Sequence, residues 1–305
     1  MTWADRLHKD ELAIYLFHGV VDSGAYKVRN YNRKHLTAEE FTGIIESLSE
    51  SGTPLSLDQV IALQREGRPF PANAFAVTFD DGFENNLTVA APILARHGVP
   101  ATFYVTTDFI DSNRMSWIDR IEWAFEAALA DGRTMSVRLP WADALVTPAD
   151  PTGVIEVLKD IRAHVKTEPD LDADSLATDL QHQLGLDETW SGDDPLDRKM
   201  TWDQVRALDS HDLFRVGGHS HEHGILAFLP PDRLASELDL SLDLLDRKAG
   251  IGPTHYSYPE GLAHCYSDAV IDALKARGVV CCPTAEDGVN PPGTDLFRLK
   301  RIMVM

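Results

Sequence analysis

An α/β fold built on parallel strands is what the sequence predicts, and three observations predict it. Short runs rich in β-branched and aromatic residues alternate with amphipathic segments of helical period. Each strand-like run is separated from the next by a helix-length segment, as parallel strands require. At 305 residues, with 44% hydrophobic and 25% charged side chains, the chain is long enough to bury the core such a fold needs. An open doubly wound sheet and a barrel both satisfy the pattern.

The elements follow in order. "AIYLFHGV" reads as a strand, "AEEFTGIIESL" as a helix and "FAVTFDDG" as a second strand leaving the core on two carboxylates. In "NLTVAAPILARHG" Leu87, Ala90, Ala91 and Leu94 share one helical face, and His97-Gly98 closes the helix before the strand "PATFYVTT". From about residue 111 to 199 the pattern changes to helical segments and loops such as "VTPADPTG" and "TEPDLDADS". We read one domain over 1–305 with this helical insertion, a lid or a substrate wall. The repeat then resumes with "TWDQVRALDS", "LFRVGGHSHEHG", the long helix "DRLASELDLSLDLLDRKAG", "THYSYPEG", "SDAVIDALKARG", "VVCCPTA" and "LFRLKRIMV".

Composition excludes some partners. The 48 acidic against 28 basic residues leave a net charge of −20, which repels nucleic acid and anionic lipid surfaces. No segment reaches the roughly 18 to 20 apolar residues of a membrane span, and the first residues lack a cleavage pattern. The three cysteines, Cys265, Cys281 and Cys282, make a poor disulfide framework. The expected location is therefore the cytoplasm; oligomeric state is open.

Two motifs carry chemistry. Asp80 and Asp81 end a strand, the usual position of active groups in parallel α/β folds, and Gly82 permits the turn that follows. Taken alone, the pair also fits an acidic N-cap. "GGHSHEHG" supplies His219, His221 and His223, too polar for a packed core and spaced so that two can meet one divalent ion. Catalytic zinc commonly takes two histidines and a carboxylate, leaving a position for water. One Asp of the first motif and two His of the second fill that set.

With "TFDDG" at Thr78 to Gly82 and "HSHEH" at His219 to His223, the sequence resembles the NodB-homology polysaccharide deacetylases, the family-4 carbohydrate esterases. The resemblance covers 13–110 and 200–304 and implies a distorted (β/α)7-type barrel. It implies Asp80 as general base and Asp81, His219 and His223 as ligands of one divalent ion, Zn2+ first, with Ni2+, Co2+ or Fe2+ accepting the same donors. His221 is then a bystander or an alternative ligand, and Ser220 supports the loop. "YSYPEG" matches a further family motif, whose backbone N–H after the proline, at Glu260, helps hold the oxyanion. Ser257 stands where that motif often has an arginine, a part Arg298 or Arg301 is left to take.

The family's C-terminal histidine is missing, and "YLFHGV" precedes the Asp-Asp strand, as in the circularly permuted branch resembling poly-N-acetylglucosamine deacetylases. His18 is accordingly the implied general acid; on its own it reads as a core histidine. The implied reaction is removal of N-acetyl groups from an N-acetylhexosamine-containing glycan or precursor. Alternatives are a sugar N-deformylase, a lapsed sugar-binding relative and an amidohydrolase that uses the His-x-His pair. Trp117, Trp190 and Trp202 are candidate sugar-stacking residues.

Overall fold

The structure is a computed structural model that describes residues 3–22, 24, 26–133, 135–186, 193–252 and 254–305. Eight strands occur among them: β1 (Leu12–Phe17), β2 (Gly19–Val21), β3 (His35–Thr37), β4 (Thr53–Pro54), β5 (Ala74–Phe79), β6 (Ala101–Val105), β7 (Phe214–Gly218) and β8 (Ile302–Met303). The α-helices are α1 (Ala38–Ser51), α2 (Leu57–Arg65), α3 (Ala91–Arg96), α4 (Thr107–Ser112), α5 (Trp117–Ala130), α6 (Pro151–Thr167), α7 (Ala173–Gln183), α8 (Trp202–Asp209), α9 (Pro231–Ala249) and α10 (Asp268–Ala276). No described helix is long and apolar enough to cross a membrane.

The chain divides into two compact units. One comprises Met1–Ser23, Lys34–Asn113 and Arg198–Met305; the other comprises Gly24–Arg33 and Arg114–Asp197. The second contains the helical segment expected over about 111–199, with α5, α6 and α7 around Ile121, Phe125, Val154, Leu158 and Leu180. It also takes in Gly24–Arg33, whose described residues form no helix or strand, so that the sequence pattern does not announce it. It is held instead by side chains: the Glu126 carboxylate of α5 accepts the backbone N–H groups of Lys27, Val28 and Arg29. The Arg29 guanidinium pairs with Asp194 and Asp197.

In the first unit the strands run parallel in the order β7-β6-β5-β1-β8, with β4 also on β5 and β2 paired separately with β3. β1 and β5 align from Leu12↔Ala74 to Phe17↔Phe79, and Val105 of β6 faces Gly218 of β7. Isolated parallel bridges, Gly218↔Tyr256 and His255↔Cys281, carry pairing beyond β7. The mixed α/β class with a parallel sheet is thus the observed one, as regular pairing through five strands continued by single bridges.

Alternation along each strand separates two apolar layers. Ala13, Tyr15, Phe17, Phe75, Val77, Phe79 and Phe103 pack with Phe41, Ile45 and Leu48 of α1. Leu12, Ile14, Ala74, Ala76 and Tyr104 pack with Cys281, Leu299 and Leu57, Val60 and Ile61 of α2. Each large side chain buried in these layers contributes roughly 1.5–3 kcal/mol. Continuing the second register by twos, His18 follows Leu12 and Ile14, and Asp80 follows Ala74 and Ala76. The same alternation that buries the core therefore delivers both polar groups to one face at the C-terminal strand ends.

Candidate active site

Residues 80–82 leave β5 with the Asp80 N–H donating to the Phe17 carbonyl (3.0 Å), then turn through positive φ at Asp81 (76°) and Gly82 (78°). A Cβ on Gly82 would come within 3.0–3.1 Å of Ile110 and Val105, so glycine answers both the turn and the packing. The amides after the turn tie it to the segment leading from β1 into β2: Asn86 Nδ2 donates to the His18 carbonyl (2.7 Å) and the Val20 N–H donates to Asn85 Oδ1 (3.1 Å).

The histidine loop follows β7, and each of its backbone N–H groups has an acceptor. That of His219 donates to the Val105 carbonyl, that of Ser220 to Tyr256 Oη, and those of His221 and Glu222 to one oxygen of the buried Glu237. That of His223 donates to Ser220 Oγ at 2.9 Å, the support expected of Ser220. These bonds hold Ser220 (φ 64°) and His223 (φ 65°) in the left-handed region, which costs on the order of 1–3 kcal/mol per residue.

The two segments meet. One ligand atom from each of Asp81, His219 and His223 lies within 4.8 Å of the others. His223 Nε2 is 3.2 Å and His219 Nε2 3.7 Å from Asp81 Oδ1. Tetrahedral bonds of ~2.0–2.1 Å would place such atoms roughly 3.4 Å apart. Asp81 Oδ1 is buried and has no hydrogen-bond partner, although it faces two imidazole nitrogens. His219 Nδ1 faces the Ser257 carbonyl (3.0 Å), which only accepts, so Nδ1 carries the proton and Nε2 presents its lone pair. An orphaned carboxylate oxygen beside two imidazole nitrogens, that of His219 with its lone pair presented, fits one divalent ion. His221 lies outside this group, its Nδ1 2.9 Å from Thr107 Oγ1.

Asp80 is held differently. Arg301, fully buried, donates from Nη1 to Oδ1 (2.9 Å) and from Nη2 to Oδ2 (2.8 Å), and Ser257 Oγ donates to Oδ1 (3.2 Å). Arg301 precedes β8, whose Ile302 pairs with Tyr15. From that level its long side chain passes Thr78 and the Tyr104 ring to reach Asp80. Arg298 instead pairs with Asp268. Of the two arginines considered, the structure thus brings Arg301 to the carboxylate.

Electrostatics separate the groups. Burial raises the Asp80 pKa, but Arg301 and His219 outweigh it and leave the carboxyl below its ordinary range. Burial acts likewise on Asp81, where Lys34 and His223 hold the carboxyl well below that range. Burial lowers His219; in His223 the adjacent Asp81 overcomes burial and raises the pKa. His18, half-buried with an unpartnered Nδ1, is pushed by burial to about 4, with Asp81 opposing. Glu260 has φ 59°, and its charge is felt by His223.

Sequence reasoning missed Lys34, Asn85, Asn86, Glu237 and Tyr256. Lys34 Nζ lies 2.8 Å from Asp81 Oδ2 and 4.8 Å from the Phe83 ring centre. Trp202 packs on the core and donates from Nε1 to Asp111, Trp117 packs within the helical unit, and Trp190 lies outside the described residues.

The parallel α/β core thus gathers carboxylates and imidazoles at its strand ends, and the matching family model gives the class, a deacetylase. The chain belongs to the polysaccharide deacetylase family, whose model matches residues 67–281. Among solved structures it is similar to IcaB from Ammonifex degensii (17% identity, 98% of this chain and 94% of that one, TM-score 0.61). It is also similar to a de-N-acetylase from Aggregatibacter actinomycetemcomitans (18%, 97% and 95%, TM-score 0.61). A third similar structure is the Streptococcus pyogenes deacetylase PplD in complex with acetate (14%, 97% and 93%, TM-score 0.60). At these identities the likeness speaks to the fold. No curated protein sequence matches the chain.

Proposed function

We propose that the protein is a metal-dependent carbohydrate de-N-acetylase acting on an N-acetylhexosamine-containing glycan or glycan precursor. One observation carries this reading: Asp80, held ionised by Arg301, stands beside the separate ligand group Asp81, His219 and His223. Two imidazoles and a carboxylate suit Zn2+, and Ni2+, Co2+ or Fe2+ accept the same donors. Bound there, such an ion would polarise the amide carbonyl and activate water at neutral pH.

The chain's own residues do the rest. Asp80 receives the proton of the attacking water, and Arg301 and Ser257 keep its oxygens oriented. The Glu260 N–H is assigned to the developing oxyanion. His18 is neutral at rest; negative charge building on the substrate raises its proton affinity, so that it takes up a proton from solvent and passes that proton to the departing amine nitrogen. A single catalytic domain over 1–305, with its first strand displaced as in the permuted branch, accommodates this assignment. Three free, buried cysteines support a reducing, cytoplasmic location.

Metal content of the purified chain, measured with acetate and formate release from N-acetyl- and N-formylhexosamine compounds, tests the reading. About one equivalent of metal is expected in wild type and in Asp80→Asn, with acid release lost in the variant. Retained turnover in Asp80→Asn removes it as base; absence of metal uptake by the wild type overturns the whole.

A further inference from the structure

The two oxygens of Asp81 have different neighbours. Oδ1 faces the imidazole nitrogens of His219 and His223, whereas Oδ2 takes the ammonium of Lys34 at 2.8 Å. We propose that Lys34 is a positioning residue that reserves Oδ1 for the ion, makes Asp81 a one-oxygen ligand and keeps it a weak donor, so that the held ion stays strongly polarising. This rests on the metal-dependent reading above.

Local structure builds the contact. Lys34 directly precedes β3, which pairs with β2, the segment that follows His18. The Gly19 N–H donates to the Lys34 carbonyl, and a Cβ on Gly19 would strike the His35 ring at 2.0 Å. A side chain at Gly19 would displace the His35 ring, and the pairing of the two short strands sets Lys34 beside the end of β1. The Phe83 face lies under the ammonium, and the side chain is 11% exposed, so water screens its charge little.

The chemical consequence has a sign. A carboxylate partner on a ligating histidine raises the ligand's donor strength. A cation on the free oxygen of a ligating carboxylate withdraws charge and does the reverse. It also repels the ion directly. Lys34 thereby weakens ion binding while strengthening the ion's pull on a bound carbonyl.

The test uses the full chain loaded with Zn2+, with affinity from competition against a chelator and turnover from acid release at saturating metal. Lys34→Met is expected to bind Zn2+ about tenfold more tightly and to turn over about tenfold more slowly. Lys34→Arg, which keeps the charge, is expected to return both values toward wild type. A merely structural lysine would move affinity and turnover down together, and that result overturns the proposal, as does an unchanged affinity. Affinity is readable without any substrate. A wild-type chain that takes up no ion overturns the functional reading and this one with it; a loaded wild type with an unaltered Lys34→Met overturns only this one.

Discussion

A histidine, an aspartate and an arginine meet in two places in the first unit, once with the aspartate on α2 and once with it at the end of β5. Where the strands begin, His255 Nε2 meets Asp58 Oδ1 at 2.8 Å, and Arg215 Nε meets Asp58 Oδ2 at 3.1 Å. Where they end, Arg301 and His219 flank Asp80. The residue types are the same; the surroundings are not. The side chains of Asp58 and Arg215 are each 44% exposed, so water shares their charge, whereas those of Asp80 and Arg301 are 5% and 0% exposed. The first place is a set of paired side chains with one buried atom, His255 Nδ1, left without a partner. The second adjoins three such atoms, Asp81 Oδ1, His18 Nδ1 and His223 Nδ1. The two places differ in burial and in the number of unpartnered atoms, not in the residue types themselves.

The largest test of that contrast is loss of the buried cation. Arg301→Met leaves the buried Asp80 carboxyl without its cation, and breaking a buried pair in this way costs roughly 3–5 kcal/mol. Denaturant midpoints of wild type, Arg301→Met and Arg215→Met measure it. Arg215→Met is expected to change stability by about 1 kcal/mol or less. Equal losses at the two places would erase the distinction.

A smaller effect is pH-dependent. Unfolded, His18 takes up a proton near its ordinary 6.5; folded, burial holds it at about 4. Between those values the unfolded chain binds more protons, so the metal-free protein loses stability as pH falls from about 6.5 to about 4 and the loss then levels off. The expected loss from this group is about 2 kcal/mol between pH 7 and 4.5. His18→Gln should flatten the profile by that amount in chemical denaturation at the two pH values. An unchanged profile would mean that His18 is freely hydrated, and its place among the site groups would fail.

The contrast also explains what was legible in sequence. Asp80, Asp81, His219 and His223 lie in two short motifs at the ends of apolar runs, so alternation and spacing expose them. Arg301 was narrowed only to one of two arginines, because both lie in an irregular stretch before β8 whose pattern does not reveal which side chain turns inward. Lys34 and Glu237 left no local signal: one is a lysine in a polar loop, the other an acid among many on α9, and each acquires meaning from a contact distant in sequence. Gly24–Arg33 escaped assignment to the helical unit for the same reason, since carboxylates on other segments hold it. The helix expected in "NLTVAAPILARHG" is present, with its first turn, Asn86–Ala90, wound as a π-helix before α3, and Asn86 donates to the His18 carbonyl.

The smallest effect belongs to the strand beginnings. Asp58→Asn removes a charge whose pKa is lowered first by the hydrogen bond to His255, with burial opposing. The single amide oxygen keeps only one of the two contacts, with the His255 ring or with Arg215, and a half-exposed site lets water take the other. About 1 kcal/mol or less of stability is therefore expected to be lost, with metal content and acid release within twofold of wild type. If Asp58→Asn abolished turnover while leaving stability intact, the two ends of the strands would be chemically coupled, and the exposed pair would belong to the working site instead of to the scaffold beneath it.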